Sequence, residues 1–214
     1  MIQTGSYKNC NNGLYATISI SGDRGNGVNY KGGCFKELAP KLSFWKVWHD
    51  NIGIISEEEN NKYYIEQYYK EVLSKLDPTK IYNKLDHKIL LCYEDGTEFC
   101  HRHVVAEWLQ LLLDVNVPEI KLNGSLREEI NRPDYIREYL EEIMRENKNM
   151  RGFTSLRALY LFEKGEELEQ KANYLEEKLN MDFDEYRQLA CFYRCDADEA
   201  EYEYRQKVKI KKNG

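Results

Sequence analysis

The chain has 214 residues and a mass of 25.5 kDa, with 42% apolar and 32% charged side chains. That is enough for one large domain, or a domain with an appended subdomain, and it argues against global disorder. The net charge of −6, from 31 basic and 37 acidic residues, argues against a duplex nucleic-acid binder, which needs a net basic face to displace counterions. It leaves room for a small local pocket for one phosphate or one base. No apolar run approaches the roughly 20 residues that span a bilayer. The first residues, Met1 to Ser6, lack the basic-then-apolar pattern of a secretory leader. Cys10, Cys34, Cys92, Cys100, Cys191 and Cys195 form no C-x-x-C pair. Reduced thiols and a cytoplasmic location, away from membranes, are therefore expected.

Taken in chain order, residues 2–7 offer a first short strand. Ala16, Ile18 and Ile20 then alternate with Thr17, Ser19 and Ser21, which predicts a strand with one apolar and one hydroxyl face. It runs into the glycine-rich stretch Gly22-Asp23-Arg24-Gly25-Asn26-Gly27. Residues 31–51 carry Leu38, Phe44, Trp45, Val47 and Trp48, enough for one or two short helices. Ser56 with Glu59 three residues on is a capping-box signature. Behind it Tyr64, Ile65, Tyr68, Tyr69, Val72, Leu73 and Leu76 form a 3.6-residue stripe that ends before Pro78. Lys88-Ile89-Leu90-Leu91-Cys92-Tyr93 is nearly continuous apolar sequence, the mark of a strand buried on both faces of a parallel sheet. A helix begins near Cys100 and carries Val104, Val105, Trp108, Leu109, Leu112 and Leu113, and a further strand is expected within residues 117–122. Alternating strands and helices predict an α/β, Rossmann-like parallel sheet flanked by helices, over residues 1–124.

From residue 125 the strand signals fade and charge rises. Helices are predicted after Pro133, after Thr154 and after Asp182, making a helical extension over residues 125–214 that closes on the basic tail Lys207-Val208-Lys209-Ile210-Lys211-Lys212. Its apolar stripes are narrow: Tyr135, Tyr139 and Ile143 on one helix, Leu168, Leu175 and Leu179 on another. Such stripes must be covered. The expected covers are the α/β domain, where the helices would roof a pocket, the neighbouring helices, or a second copy in a homo-oligomer.

The densest chemistry lies in Cys92-Tyr93-Glu94-Asp95-Gly96-Thr97-Glu98-Phe99-Cys100-His101-Arg102-His103. Cys92 and Glu94 are two apart on a strand and share a face, at the strand end where parallel sheets place ligands. Cys100, His101 and Arg102 fall in the first turn of the next helix, where unpaired N–H groups favour an anion and lower a thiol pKa. Packing alone accounts for a cysteine as apolar in its surroundings as Cys92. A zinc site from Cys92, Cys100, His101 and His103 has suitable ligand types, but the successive helix residues His101 and Arg102 diverge and no second C-x-x-C arm exists, so no metal is expected. The glycine-rich loop matches neither nucleotide fingerprint and reads more simply as a turn. The arginine spacing of a phosphatase loop is absent.

Leu90-Leu91-Cys92-Tyr93-Glu94, followed by Phe99-Cys100-His101-Arg102-His103-Val104-Val105-Ala106-Glu107-Trp108-Leu109, resembles the hallmark of the domain of unknown function 488 family. Thr4-Gly5-Ser6-Tyr7, Ile18-Ser19-Ile20-Ser21-Gly22, Tyr30-Lys31-Gly32 and Leu38-Ala39-Pro40 follow the same pattern in order. Asp23 and Arg24 depart from it. The resemblance implies a small Rossmann-like domain with a role centred on nucleotides or nucleic acid in bacterial or phage settings. It has no counterpart for residues 125–214.

Together these readings predict a pocket at the C-terminal ends of strands 14–22 and 88–94 for a small anionic, nucleotide-like ligand. Arg102 and the helix start would hold the anion, with His103 nearby. Ser6 and Ser21 would contribute polar contacts, Tyr7 and Tyr30 would stack on a base, and Glu94 would accept from a base or ribose edge. Cys100 or Cys92 would be the nucleophile and His101 or His103 the general base. An enzyme of nucleotide, modified-base or nucleic-acid metabolism, a non-catalytic sensor of such a ligand, and a protein-interaction module all remain open. The sequence names no cofactor.

Overall fold

A computed structural model describes residues 1–10, 15–124, 126–179 and 183–213, the side chains of residues 212 and 213 excepted. The chain divides into two compact units, Met1–Met144 and Arg145–Gly214.

The first unit is built on six strands: β1 (Gln3–Ser6), β2 (Thr17–Ser19), β3 (Gly33–Cys34), β4 (Ile89–Cys92), β5 (Glu119–Asn123) and β6 (Leu126–Ile130). Their order is β3-β2-β4-β1-β5-β6. The first five run parallel, and β6 closes the edge antiparallel to β5. Every residue of β4 is buried, as an unbroken apolar strand flanked by two parallel neighbours requires. Thr4 pairs with Leu90 on one side of it and Ile18 with Leu90 on the other.

The helices of this unit are α1 (Tyr7–Cys10), α2 (Leu42–Asp50), α3 (Glu57–Glu71), α4 (Pro78–Leu85), α5 (His101–Leu113) and α6 (Tyr135–Asn147), the last ending just past the unit boundary. α3 starts where the capping box placed it, with Ser56 Oγ accepting from the Glu59 amide at 3.2 Å. α5 is buried at His101 through Leu109 without a break, its polar His101, Arg102, His103 and Glu107 included. The predicted α/β sheet with flanking helices is therefore present.

Two elements differ from expectation. Pro78 does not merely end the preceding helix: it occupies the first turn of α4, whose cap is Asp77, accepting from the Lys80 amide at 3.2 Å. Proline suits that position because its missing N–H would have no partner there. β6 lies where strand signals had faded. All but its last residue are exposed, so it carries no apolar alternation and is held by pairing with β5.

Gly5 sits where β1, α1 and β5 converge. A Cβ there would stand 2.5 Å from Cys10 Sγ and 3.2 Å from the Ile120 carbonyl oxygen, and the Cys10 thiol already donates to that oxygen at 3.4 Å. Gly5→Ala is expected to lower unfolding free energy by roughly 1–3 kcal/mol, the scale of core overpacking. Urea melts of Gly5→Ala and of Gly5→Ala/Cys10→Ala check this. The double variant should recover only part of the loss, because the carbonyl contact remains.

The second unit is a pair of long helices, α7 (Leu156–Leu179) and α8 (Asp184–Asn213). They approach closely at small residues, with Ala158, Ala172, Ala190, Ala197 and Ala200 buried and a Cβ on Gly165 meeting the Ala190 carbonyl oxygen at 3.0 Å. Glu201 accepts from the Thr154 and Ser155 amides at 2.9 and 2.8 Å, placing a carboxylate where the N-terminus of α7 favours one. The predicted cap Asp182 lies outside the described residues. Among the described residues no helix is long and apolar enough to cross a membrane.

Candidate functional site

A cavity of about 620 Å³ opens at the C-terminal edge of β2 and β4. Ser21, Gly22 and Asp23 line it from the β2 side. Cys92, Tyr93 and Glu94 follow β4, and Phe99, Cys100 and His101 lead into α5. The opposite wall is Pro40, Leu42, Trp45 and Trp48 around α2, with Tyr64 from α3. Trp48, Tyr64 and Phe99 pack on one another at ring separations of 5.2 to 5.8 Å. The Trp48 indole N–H is fixed by donation to Asn61 at 3.0 Å.

The reactive groups cluster at one end of this aromatic chamber. Cys92 is the last residue of β4. Cys100 is the cap of α5, with φ −153° and ψ 145°, so its side chain leaves from extended backbone and turns toward the strand end. Cys100 Sγ lies 2.8 Å from Glu94 Oε2. His101 Nδ1 lies 3.6 Å from Cys92 Sγ and 3.8 Å from Cys100 Sγ. The other ring nitrogen, Nε2, stands 3.0 Å from the Ile20 carbonyl oxygen. Because a carbonyl only accepts, Nε2 carries a proton, and Nδ1 of the neutral ring presents its lone pair to the two thiols.

Charge within this buried group is distributed unevenly. Burial opposes ionisation of Cys100, yet the hydrogen bond from Cys92 and the charges of Arg102 and His101 hold its thiol well below the ordinary range. Cys92 is pushed well above that range by burial and by Cys100 and Glu94. Burial and the neighbouring Cys100 raise the Glu94 carboxyl to about 7. The His101 cation is disfavoured by burial, but Cys100 outweighs it and raises the imidazole. The directions of these shifts favour movement of the Cys100 proton toward His101.

The remaining predicted site residues stand elsewhere. Arg102 is fully buried and does not line the cavity. Nε and Nη2 donate to Glu119 on β5 at 3.1 to 3.2 Å, and Nη2 also donates to the Asp95 carbonyl. Its Nη1 has no hydrogen-bond partner among the described residues and lies 4.0 Å from Glu94. His103 is likewise buried, with Nε2 3.3 Å from Glu119. Successive residues of a helix turn face different directions, and only His101 faces the cavity. Ser6 accepts from the Asn9 amide at 3.2 Å. The Tyr7 hydroxyl bonds Ser19 and Ser21 at 2.6 and 2.9 Å. The Tyr30 hydroxyl bonds Thr17 at 3.0 Å, and its ring packs on Tyr7. Of Ser6, Tyr7, Ser21 and Tyr30, only Ser21 lines the cavity.

The glycine-rich loop is closed on itself. Asp23 accepts from the Gly25 and Gly27 amides at 2.9 and 3.1 Å and pairs with the Tyr93 hydroxyl. The amides that would cradle a phosphate are thus committed to a carboxylate of the same loop. Asp23, Tyr93 and the aromatic wall are cavity residues that the sequence reading did not assign to the site. The i, i+3 spacing of Trp45 and Trp48 on a short helix is the signal that could have found part of that wall.

Residues 9–112 match the family model described as the active DUF488-N3 subclade, and this part of the chain resembles the DUF488 family. The matched segment contains the loop, the aromatic wall and the cysteine–histidine cluster. No match to the chain was found among curated proteins or among solved structures.

Proposed function

We propose that this chain, with its DUF488-like α/β domain, is a cysteine-dependent enzyme acting on a nucleotide or a modified base. One observation carries the reading: a thiol, an imidazole and a carboxyl meet at the end of a cavity walled by aromatic rings. A volume of about 620 Å³ suits a ligand of nucleoside size, and flat aromatic walls suit a planar base. The wording "active" in the matched subclade's description favours catalysis over simple binding.

Three groups then divide the work. His101 Nδ1, fixed by the Ile20 carbonyl behind it, takes the Cys100 proton. Cys100 Sγ forms a bond to an electrophilic carbon of the substrate while the bond from that carbon to the leaving group breaks. Glu94, 2.8 Å from the sulfur, gives its proton to the departing group. The same carboxylate would then take a proton from water as the water attacks the S-bound carbon; the carbon–sulfur bond breaks, and His101 returns its proton to the Cys100 sulfur, releasing product and free thiol.

The test is a panel of nucleosides, nucleotides and modified bases presented to the reduced full chain. Heat stabilisation and product formation are read separately. The expected result is at least one compound that both stabilises the protein and is converted. Stabilisation with the ligand recovered intact would move the protein to the binder class. Neither effect across the panel would remove nucleotides as the ligand.

A further inference from the structure

We propose that Cys92, Cys100 and His101 form a binding site for a thiophilic divalent ion of the zinc class. Their three ligand atoms lie within 4.8 Å of one another, on buried residues. Zinc takes sulfur at about 2.3 Å and imidazole nitrogen at about 2.0–2.1 Å in tetrahedral geometry, which sets neighbouring S and N ligands roughly 3.6 Å apart. The two S···N separations here are 3.6 and 3.8 Å. Both S···N separations therefore match the sulfur–nitrogen edge of such a tetrahedron.

Two further features fit. Metal-bound histidines usually donate their second ring N–H to a carbonyl or carboxylate, which fixes the ring and its tautomer. His101 does this with Ile20 at 3.0 Å, leaving Nδ1 as the ligand atom. Glu94, a cavity residue, stands 2.8 Å from Cys100. The divergence of His101 and Arg102 along α5, which argues against a metal in the sequence, does not apply, because the third ligand comes from the end of β4 and not from the helix. The Arg102 charge, which acts on Cys100, is balanced by Glu119. An ion held by two thiolates adds no net charge to that surrounding. The ion and an attacking nucleophile would compete for the same Cys100 sulfur, so loading would silence the cysteine chemistry proposed above. Ion binding itself does not depend on that chemistry.

Cobalt(II), added to the reduced, metal-free full chain, tests the site. The expected result is near-ultraviolet thiolate-to-cobalt absorption with tetrahedral visible bands, saturating near one equivalent and displaced by zinc. His101→Gln and Cys92→Ser should abolish or strongly weaken the bands. Cys191→Ser/Cys195→Ser, which removes the exposed helical pair, should leave them unchanged. A measurement on the unaltered chain covers the case in which a variant fails to fold. One equivalent of zinc should slow alkylation of Cys92 and Cys100 by at least roughly tenfold and leave Cys191 and Cys195 reacting as before. Absence of the bands, their survival in the folded site variants, or zinc protection confined to Cys191 and Cys195 would overturn the assignment. A chain that turns over nucleotides yet binds no cobalt would sink this proposal alone.

Discussion

Arg102→Ala is expected to destabilise the first unit by about 3–5 kcal/mol, the scale seen when one partner of a buried ion pair is removed. Against a total stability of order 5–15 kcal/mol for a domain, that is a large fraction. The side chains of Arg102 and Glu119 are 0% and 1% exposed, so the alanine variant would leave a carboxylate in the core beside the His103 imidazole. Replacing both partners, as in Arg102→Met/Glu119→Leu, should recover most of the loss, because the cost lies in the orphaned charge more than in the missing attraction. Urea denaturation of the two variants decides the point.

The same pair has a pH signature. Burial works to raise the Glu119 carboxyl, but His103 and Arg102 outweigh it and hold it below the ordinary carboxylate range. A group with a lowered folded pKa contributes stability that is present above its unfolded value, about 4.3 for glutamate, and is lost as pH falls through the folded value. The gap between the unaltered chain and Arg102→Ala should therefore narrow in acid, below about pH 4. A variant that keeps its midpoint but loses ligand affinity would return Arg102 to the anion-binding role its place at a helix start suggests.

The sequence is most informative where one local signal decides the structure. β4 needs only its four apolar residues to be recognised as a central strand, and α3 needs only Ser56, Glu59 and a periodic stripe. The cysteine–histidine cluster was legible for the same reason: the end of β4 and the start of α5 are separated by one short turn. Pairings between distant segments were not legible. Glu119 stands 17 residues beyond Arg102, on a strand whose register the sequence does not encode, so the arginine read as a free donor. Trp48, Tyr64 and Phe99 reach the cavity from three separate segments, and each alone reads as core. β6 is held by backbone pairing to its neighbour, which leaves no pattern in its side chains.

Cys100→Ala should abolish conversion of any nucleotide the protein processes, with a loss of at least about 10³-fold, as expected when the nucleophile of a covalent mechanism is removed. Glu94→Gln should cost roughly 10²–10⁴-fold by removing the proton donor while keeping the shape of the side chain. Cys191→Ser, on an exposed position of α8, is the control and should convert substrate at the normal rate. Product formation over time, compared with thermal melts of the same samples, separates lost chemistry from lost fold. Intact-mass measurement during turnover adds a direct reading: a substrate-derived adduct should appear on the unaltered chain, map to the peptide containing Cys100, and be missing from Cys100→Ala. Cys92 serves to distinguish the roles of the two thiols. It is pushed above the ordinary thiol range by its burial and by Cys100, so it serves as a hydrogen-bond donor to its neighbour and should carry no adduct. An adduct on Cys92 in place of Cys100 would reverse that assignment, and full conversion by Cys100→Ala would show that the reaction runs without a covalent step at this sulfur.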